Sequence, residues 1–192
     1  MSRRGAIAAA VLLGAALAVA PAPAADALDL FNPLLSPEYA SWLVGPFARM
    51  ASKEEIRSFG QLTDDDQARA YIEAFWARRD PDPKRPGNPV RDLALERAAE
   101  ADRKFTESGY PGRRTDRGAI YVLYGEPEKM EYEPGDFVGD PPLEVWRYAS
   151  SAGKGLDGEK PDRRYRFLQQ GDLTRLYLGS LRHRRPISSA EH

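Results

Sequence analysis

Cysteine is missing from the 192 residues, and histidine occurs only twice, as His183 and His192. Without cysteine the chain has no lipid-attachment thiol, no disulfide, no thiolate metal site and no thiol nucleophile. Both histidines lie near the C-terminus, so a Ser-His-Asp triad or a His-based zinc site would have to be built from the tail. These absences argue against the commonest hydrolase chemistries.

An excess of either charge is also missing, because 28 basic residues are balanced by 29 acidic ones for a net charge of −1. Such a balance gives no long-range attraction to nucleic acid or to anionic lipid, and we expect no nucleic-acid partner. Hydrophobic residues make up 42% of the chain, which is enough for a folded core. The length fits one domain with a small helical annex.

The first 27 residues have the pattern of a secretory signal peptide. Two arginines precede an apolar run over residues 6–20, and small residues then offer cleavage after Ala24 or Ala27. The run is shorter than the roughly 20 residues that span a bilayer, so an uncleaved anchor is the weaker alternative. Sec and Tat export both stay open. We expect a periplasmic or secreted protein with no stable membrane span after cleavage.

Helices are predicted in the first half of the remaining chain. Their starts are marked by residues that cap helix N-termini, at Ser36, Thr63 and Asn88. Gly45 and Pro46 are expected to break or kink the first of these segments, since proline and glycine disfavour a helix interior. The second ends before Pro81 and is the most clearly amphipathic of the three.

Strands are predicted in the second half. Residues 119–124, AIYVLY, are apolar at every position, which is typical of a strand that is covered on both faces. Further strands are predicted at residues 129–133, KMEYE, and 143–149, LEVWRYA. Residues 163–180 divide at Gln170-Gly171-Asp172 into the two strands of a hairpin. The predicted fold class is α+β, with N-terminal helices followed by a mainly antiparallel β-sheet.

The chain is accordingly divided into four parts. These are a signal peptide over 1–27, an N-terminal helical segment over 28–60, an α+β domain over 61–181 and a flexible basic tail over 182–192.

Three segments of the sequence together resemble a known sequence pattern. They are FWARRDPDP at 75–83, GYPGRRTDRGAIYVLYGEPEKM at 109–130 and EVWRY at 144–148. Over roughly residues 60–170 they resemble the GWxTD-domain family of exported bacterial proteins. The positions that match the family pattern are Gly112, Thr115, Asp116, Arg117, Gly118, Tyr124, Gly125 and Pro127. Arg113 stands where the family has its namesake Trp. The resemblance implies little chemistry, because the family has no established activity.

The segment GRRTDRG, residues 112–118, invites comparison with a phosphate-binding loop. Its glycines precede a predicted strand, and the Gly-Lys-Ser/Thr ending of such a loop is absent. The favoured interpretation is structural: Asp116 accepts hydrogen bonds from turn amides and Gly118 permits a tight entry into the strand. The alternative is that Arg113, Arg114 and Arg117 form an exposed anion-binding cluster.

The segment RRDPDP, residues 78–83, closes the second helix. The favoured interpretation is an Arg79–Asp80 or Arg78–Asp116 ion pair that locks helix to strand. The alternative is a site for a hard cation with oxygen ligands from Asp80, Asp82 and Asp116, although this spacing matches no known loop.

Aromatic side chains are dense in the predicted sheet. Core packing or cross-strand pairing is expected of Tyr121, Tyr124, Trp146, Tyr148, Tyr165, Phe167 and Tyr177. A few exposed members would form a platform for sugars or for a partner peptide. Among carboxylates near predicted strand ends, nothing singles out a catalytic pair from Glu126, Glu128 and Glu144.

We therefore expect an exported, non-enzymatic module that binds a protein or cell-envelope partner, without catalytic residues, cofactor or metal. The alternative is a carboxylate-dependent hydrolase of an envelope glycan, which needs two facing carboxyl groups roughly 5–9.5 Å apart. The residues assigned to an interaction or structural motif are Arg78, Arg79, Asp80, Gly112, Arg114, Thr115, Asp116, Arg117, Gly118, Tyr124, Gly125, Pro127 and Trp146. The partner's identity and the oligomeric state stay open.

Overall fold

A computed structural model describes residues 30–179, so the proposed signal peptide and basic tail lie outside the described residues. The helices are α1 (Pro37–Ala40), α2 (Pro46–Met50), α3 (Lys53–Phe59), α4 (Asp65–Ala77), α5 (Pro89–Phe105) and α6 (Asp116–Tyr124), with a 3₁₀ turn over Gly112–Arg114 before α6. The strands are β1 (Lys129–Glu133), β2 (Leu143–Arg147), β3 (Arg164–Gln170) and β4 (Leu173–Leu176).

The N-terminal helices follow the capping and breaking signals with three differences. Ser36 precedes α1, but its side chain makes no capping hydrogen bond. Gly45 separates α1 from α2 at a φ of 103°, a conformation that glycine adopts without strain. Helix α3 was not predicted, although Ser52 and Glu55 form a reciprocal capping box at its start. Helix α4 is capped by the carboxylate of Asp64 rather than by Thr63.

Asn88 both starts α5 and ties it to α4. Its side-chain oxygen accepts hydrogen bonds from the amides of Val90 and Arg91, and its side-chain nitrogen donates to the Trp76 carbonyl at 2.7 Å. The residue is buried, so these bonds satisfy polar groups that would otherwise lack hydrogen-bond partners.

The prediction of a strand over residues 119–124 was wrong, because this segment lies in helix α6. The helix is enclosed by other elements around most of its circumference, and Ile120, Val122 and Leu123 are each at most 1% exposed. A helix that is covered around most of its circumference needs apolar residues on most of its faces. Its sequence therefore lacks the 3.6-residue apolar period that marks an amphipathic helix.

The sheet has four strands in the order β1-β2-β3-β4, and every neighbouring pair is antiparallel. The three predicted strand segments after residue 128 are confirmed, as is the hairpin, whose turn has Gly171 at a φ of 61°. The α+β class is therefore confirmed, with helices first and an antiparallel sheet second. Strands β1 and β4 are the two edges.

Helix α6 stands between two hydrophobic clusters. Its Leu123 belongs with the N-terminal helices, in a cluster centred on Leu43, Phe59 and Phe75. Ile120, Tyr121 and Val122 belong with α5 and one face of the sheet, in a second cluster that includes Phe105 and Trp146. The sheet thus has a helix-covered face and an outer face. In the described range 30–179, no helix has the length and apolar character to cross a bilayer.

Candidate functional site

The sequence motif at residues 112–118 brings three backbones into direct contact. A Cβ on Gly112 would lie 1.9 Å from the Ala101 carbonyl oxygen of α5. A Cβ on Gly118 would lie 1.8 Å from the Gly112 carbonyl oxygen. Neither position has room for a side chain, so the two glycines set the distance between α5, the 3₁₀ turn and α6.

Thr115 is the N-cap of α6. Its hydroxyl accepts a hydrogen bond from the Gly118 amide at 3.1 Å and donates to the Gly112 carbonyl at 2.8 Å. The side chain is buried, so both hydrogen-bonding functions are used inside the protein. Gly118 therefore serves a helix start and not the strand entry that its sequence suggested.

Asp116 contacts the edge strand β4 and not the turn amides that the sequence suggested. Its carboxylate accepts a hydrogen bond from the Leu176 amide at 2.7 Å. Two residues earlier on the same strand, the Thr174 amide donates to the Glu107 carboxylate at 3.0 Å. In an antiparallel pair, opposed residues alternate between hydrogen-bonded and non-hydrogen-bonded positions. Thr174 and Leu176 occupy the non-bonded positions opposite β3, so both of their amides point away from β3. Two carboxylates therefore close the β4 edge.

Arg117 joins Glu107 to the middle of the sheet. Its guanidinium lies 2.9 Å from a Glu107 oxygen and 3.1 Å from a Glu144 oxygen, and all three side chains are mostly buried. The second Glu144 oxygen accepts a hydrogen bond from the Trp146 indole at 2.7 Å. Each of the four carboxylate oxygens thus has a protein donor. The Arg117 Nε is buried without a hydrogen-bond partner among residues 30–179.

A polar cleft of about 350 Å³ opens beside this triad. Its walls include the side chains of Glu107, Arg117, Tyr132 and Glu144. Of the three carboxylates that the sequence singled out, Glu144 lies here, whereas Glu126 and Glu128 are exposed elsewhere. Glu107 was missed, since one carboxylate just past the end of a helix carries no sequence signal.

Two of the motif's three arginines are paired with carboxylates of this chain, and they do not form an exposed anion-binding cluster with the third. Arg113 pairs with Asp102 of α5 at 2.9 Å. Arg117 is engaged by two carboxylates, as described above. Arg114 is half-buried, and this burial together with neighbouring Arg113 lowers its pKa. Within the described part of the chain, the Arg114 guanidinium has no hydrogen bond or salt bridge.

Arg78 and Arg79 do not pair with Asp116 or Asp80, as the sequence suggested, because both bind Glu55 of α3. The closest nitrogen–oxygen distance is 2.7 Å in each case. Arg79 also donates to the Met50 carbonyl at 2.6 Å and thereby links α2, α3 and α4. The hydrogen bond from Arg79 is the largest influence on Glu55, and together with the Ser52 amide and Arg78 it lowers the pKa of that carboxyl to about 2.

The carboxylates proposed as an alternative metal site are not brought together. Asp80 accepts a hydrogen bond from the Asp82 amide at 3.0 Å, and Asp116 is bound to β4. Residues 30–179 contain no group of three His, Cys, Asp or Glu side chains arranged to hold a metal ion.

The remaining motif residues build the core between α6 and the sheet. The Tyr124 hydroxyl donates to Asp157 at 2.6 Å, and burial raises its pKa. Gly125 ends α6 at a φ of 78°, and its carbonyl accepts the Tyr148 hydroxyl. Pro127 is buried beside β1, and Trp146 is fully buried against Phe105. These are packing roles, as the sequence predicted for the aromatic side chains.

The β1 edge has no such closure. The Tyr148 amide donates to the Arg163 carbonyl, so the even-numbered residues of β2 bond to β3 and the odd-numbered ones bond to β1. Lys129, Glu131 and Glu133 therefore face β2 through their backbones. The amides and carbonyls of Met130 and Tyr132 point outward, and nothing in residues 30–179 bonds to them.

Two large side chains at this edge are exposed. Met130 is 55% exposed and Tyr132 is 73% exposed, on the same side of the sheet as the helices. A groove of about 220 Å³ lies between Met130 and the end of α5, with Phe105 and Tyr121 in its wall. Sequence analysis placed the strand but missed the edge, because a strand's neighbours are decided only when the sheet assembles.

Comparison with known proteins identifies one family. The family model described as GWxTD domain matches residues 36–158, which is more than half of the chain. The match begins in the N-terminal helical segment and ends before β3, so it includes the motif and the open edge strand β1. No curated protein and no solved structure shows significant similarity to the chain.

Proposed function

Since this chain belongs to the GWxTD domain family, we propose that it is an exported, non-enzymatic module that binds a protein partner of the cell envelope by strand addition at the β1 edge. Strand addition requires free backbone groups on an edge and adjacent surfaces for alternate side chains of the incoming strand. Outward-facing Met130 and Tyr132 supply the backbone groups, and the groove beside Met130 supplies such a surface. The observation that carries the proposal is that the outward-facing backbone groups of β1 bond to nothing within residues 30–179.

Export is proposed on the sequence alone. The apolar run over 6–20 and the small residues up to Ala27 have the order of a cleavable signal peptide. The absence of cysteine is compatible with export, because the described core depends on hydrophobic packing and ion pairs rather than on disulfides. Mass spectrometry of the protein from the periplasmic or culture fraction should show an N-terminus at residue 25 or 28, and an intact Met1 in that fraction would contradict the proposal.

The non-enzymatic part of the proposal is supported by how the buried carboxylates are used. A glycoside hydrolase needs one carboxylic acid that can give up a proton to the leaving group. Glu107 and Glu144 instead accept two hydrogen bonds each, from Arg117 and from Thr174 or Trp146. Both oxygens of each carboxylate are thus engaged by protein donors.

The alternative, a carboxylate-dependent hydrolase of an envelope glycan, is favoured only by the cleft beside Glu107 and Glu144. It predicts that the purified protein releases soluble sugar from isolated envelope glycan and that Glu144→Gln abolishes the release. Equal release by the wild type and this variant would remove the alternative.

Binding at the β1 edge is tested by affinity capture from an envelope extract with a matched pair of variants. Tyr132→Pro removes an outward-facing amide without removing a bond to β2, whereas Tyr132→Thr keeps the amide and strand propensity. We expect the wild type and Tyr132→Thr to retain a shared set of captured proteins that Tyr132→Pro loses. The same captured set with all three chains would contradict strand addition.

A further inference from the structure

We propose that the strand which completes the β1 edge is β1 of a second copy of this chain, giving a two-fold symmetric dimer with a continuous eight-stranded sheet. This inference rests on the proposed function, since it names the partner of the same edge. It is argued from the pattern of β1 itself, KMEYE, whose residues are complementary to their own antiparallel copy.

Within the bounds of β1, Lys129–Glu133, one register pairs every outward-facing residue with another. With the two-fold axis at Glu131, Met130 of each copy lies opposite the partner's Tyr132. These are the two residues whose amides and carbonyls point away from β2, and opposed residues of this kind exchange two hydrogen bonds per pair. The dimer therefore gains four backbone hydrogen bonds. A register that opposes Tyr132 to itself would place Met130 opposite Pro134, which has no amide to donate.

The side chains fit the same register. On the helix side of the sheet, Met130 lies opposite the partner's Tyr132, and a thioether beside an aromatic ring is a favourable contact. Both side chains are more than half exposed in the single copy, so the dimer removes apolar surface from water.

On the outer face, Lys129 lies opposite the partner's Glu133, and this pair occurs twice in the dimer. Opposite charges in directly facing positions stabilise paired strands. Lys129 and Glu133 also pair within their own copy, with Glu131 and with Arg147 and Arg164 respectively, so contacts across the interface add to these networks. Glu131 faces itself across the axis, and each Glu131 is bound by Arg147 of its own copy. This order of charges is complementary to its own antiparallel copy. An unrelated peptide would not in general carry the matching order, so the pattern favours a second copy of this chain.

The other edge explains why the assembly stops at two. The outward-facing amides of β4 are already bound by Glu107 and Asp116. A dimer joined through β1 therefore presents two closed β4 edges and offers no site for further strands. Closed two-fold pairing is expected instead of an open fibre.

Charge exchange gives the sharpest experiment. Lys129→Glu places a carboxylate opposite the partner's Glu133, and Glu133→Lys places an ammonium group opposite the partner's Lys129, so each variant alone brings like charges together twice. An equimolar mixture allows a heterodimer in which two carboxylates on one strand face two ammonium groups on the other. We expect sedimentation velocity to show a concentration-dependent dimer for the wild type in the micromolar range, about tenfold weaker self-association for each variant, and recovery in the mixture.

Controls separate the interface from the fold. Lys160→Glu changes an exposed lysine far from β1 in sequence and should leave dimerisation unchanged. Circular dichroism and thermal unfolding verify that each variant is folded. Should Glu133→Lys fail to fold because it loses Arg147 and Arg164, Tyr132→Pro replaces it and should be monomeric where Tyr132→Thr still dimerises.

The outcome distinguishes this inference from the proposed function. A wild type that is monomeric up to millimolar concentration, or single variants whose mixture does not recover, would overturn the dimer. Strand addition to a different protein would still stand if Tyr132→Pro lost a captured partner. Protection of the Met130 and Tyr132 amides from hydrogen exchange at every concentration would mean that the same chain covers the edge, which overturns the dimer as well.

Discussion

The two edges of the sheet differ in how their outward-facing backbone groups are hydrogen-bonded. At β4, the outward amides of Thr174 and Leu176 are bound by carboxylates from the helical part of the molecule. At β1, the corresponding groups of Met130 and Tyr132 have no partner within residues 30–179. An exposed edge is a liability for aggregation, so closing one edge with two carboxylates while the other stays free among residues 30–179 fits the proposed use of the β1 edge.

The family motif belongs to the closed side of this comparison. Gly112, Thr115 and Gly118 place the start of α6 against α5, and Asp116 then reaches β4. The motif thus acts as a scaffold that brings helix and sheet together, and it does not supply the side chains of the open edge. Four predictions sharpen this contrast.

The largest effect on stability is expected for Gly118→Ala, which disrupts the contact between the 3₁₀ turn and α6 that positions Asp116 at the closed edge. The new Cβ would lie 1.8 Å from the Gly112 carbonyl oxygen, so α6 must move away from the 3₁₀ turn. We expect a loss of about 4 kcal/mol in the free energy of unfolding, measured by urea denaturation. Gly153→Ala is the matched control, because its Cβ meets no atom within 4 Å. Equal stability of the two variants would show that the contact is not what positions α6.

A second prediction concerns the helical region that is remote from both edges. Glu55→Gln weakens the ion pairs with Arg78 and Arg79, of which the Arg79 pair is mostly buried, and should cost about 3 kcal/mol. The pKa of Glu55 is lowered to about 2 in the folded protein. Its contribution is therefore complete above pH 4.5 and is lost as the pH falls from 4.5 toward 2.

The check is a comparison of unfolding free energies between about pH 6 and about pH 2.5, which bracket most of this range. The wild type should lose more stability than Glu55→Gln over this range, and the difference between the two should shrink. A constant difference would mean that protonation of Glu55 is not coupled to folding.

The third prediction opens the closed edge locally. Asp116→Ala leaves the Leu176 amide without its acceptor, which should cost about 1–3 kcal/mol. Hydrogen exchange should accelerate more at Leu176 than at Thr174, because Thr174 keeps Glu107 as its acceptor. Unchanged stability and exchange would remove Asp116 from the closure of β4.

The smallest effect on stability is expected at the open edge. Tyr132→Pro removes an amide that bonds to nothing within the described chain, so the unfolding free energy of the monomer should change by less than about 1 kcal/mol. Glu131→Pro is the contrasting variant, since the Glu131 amide faces β2, and it should destabilise by about 3 kcal/mol. Similar losses from both variants would show that the two faces of β1 are not distinguished as the register implies.

Much of the helical part was predictable because its signals are local. Asn88 caps α5, Gly45 and Pro46 divide α1 from α2, and Gly171 marks the hairpin, all as read from neighbouring residues. The partners of Arg78 and Arg79 were not predictable, since Glu55 lies more than twenty positions away in a helix that the sequence pattern did not predict. Ion pairs between distant residues depend on how helices pack, and that information is not local.

Residues 119–124 are a segment whose local pattern did not predict the correct secondary structure. Six consecutive apolar residues fit a buried strand and a buried helix equally well. The cap at Thr115 and the terminal Gly125 were present in the sequence, and they indicate a helix once they are read together. The wrong assignment came from giving the apolar run more weight than its ends.

The α+β class, the family and the alternation of charged and apolar residues in KMEYE followed from the sequence alone, whereas helix α3 and the helical state of residues 116–124 did not. Only the tertiary structure decided that β1 and β4 are the edges, that Glu107 and Asp116 close one of them, and that Met130 and Tyr132 remain open on the other. The reason is that caps, turns and alternation depend on residues a few positions apart, whereas the partners of the outward β4 amides lie 60 or more positions away along the chain.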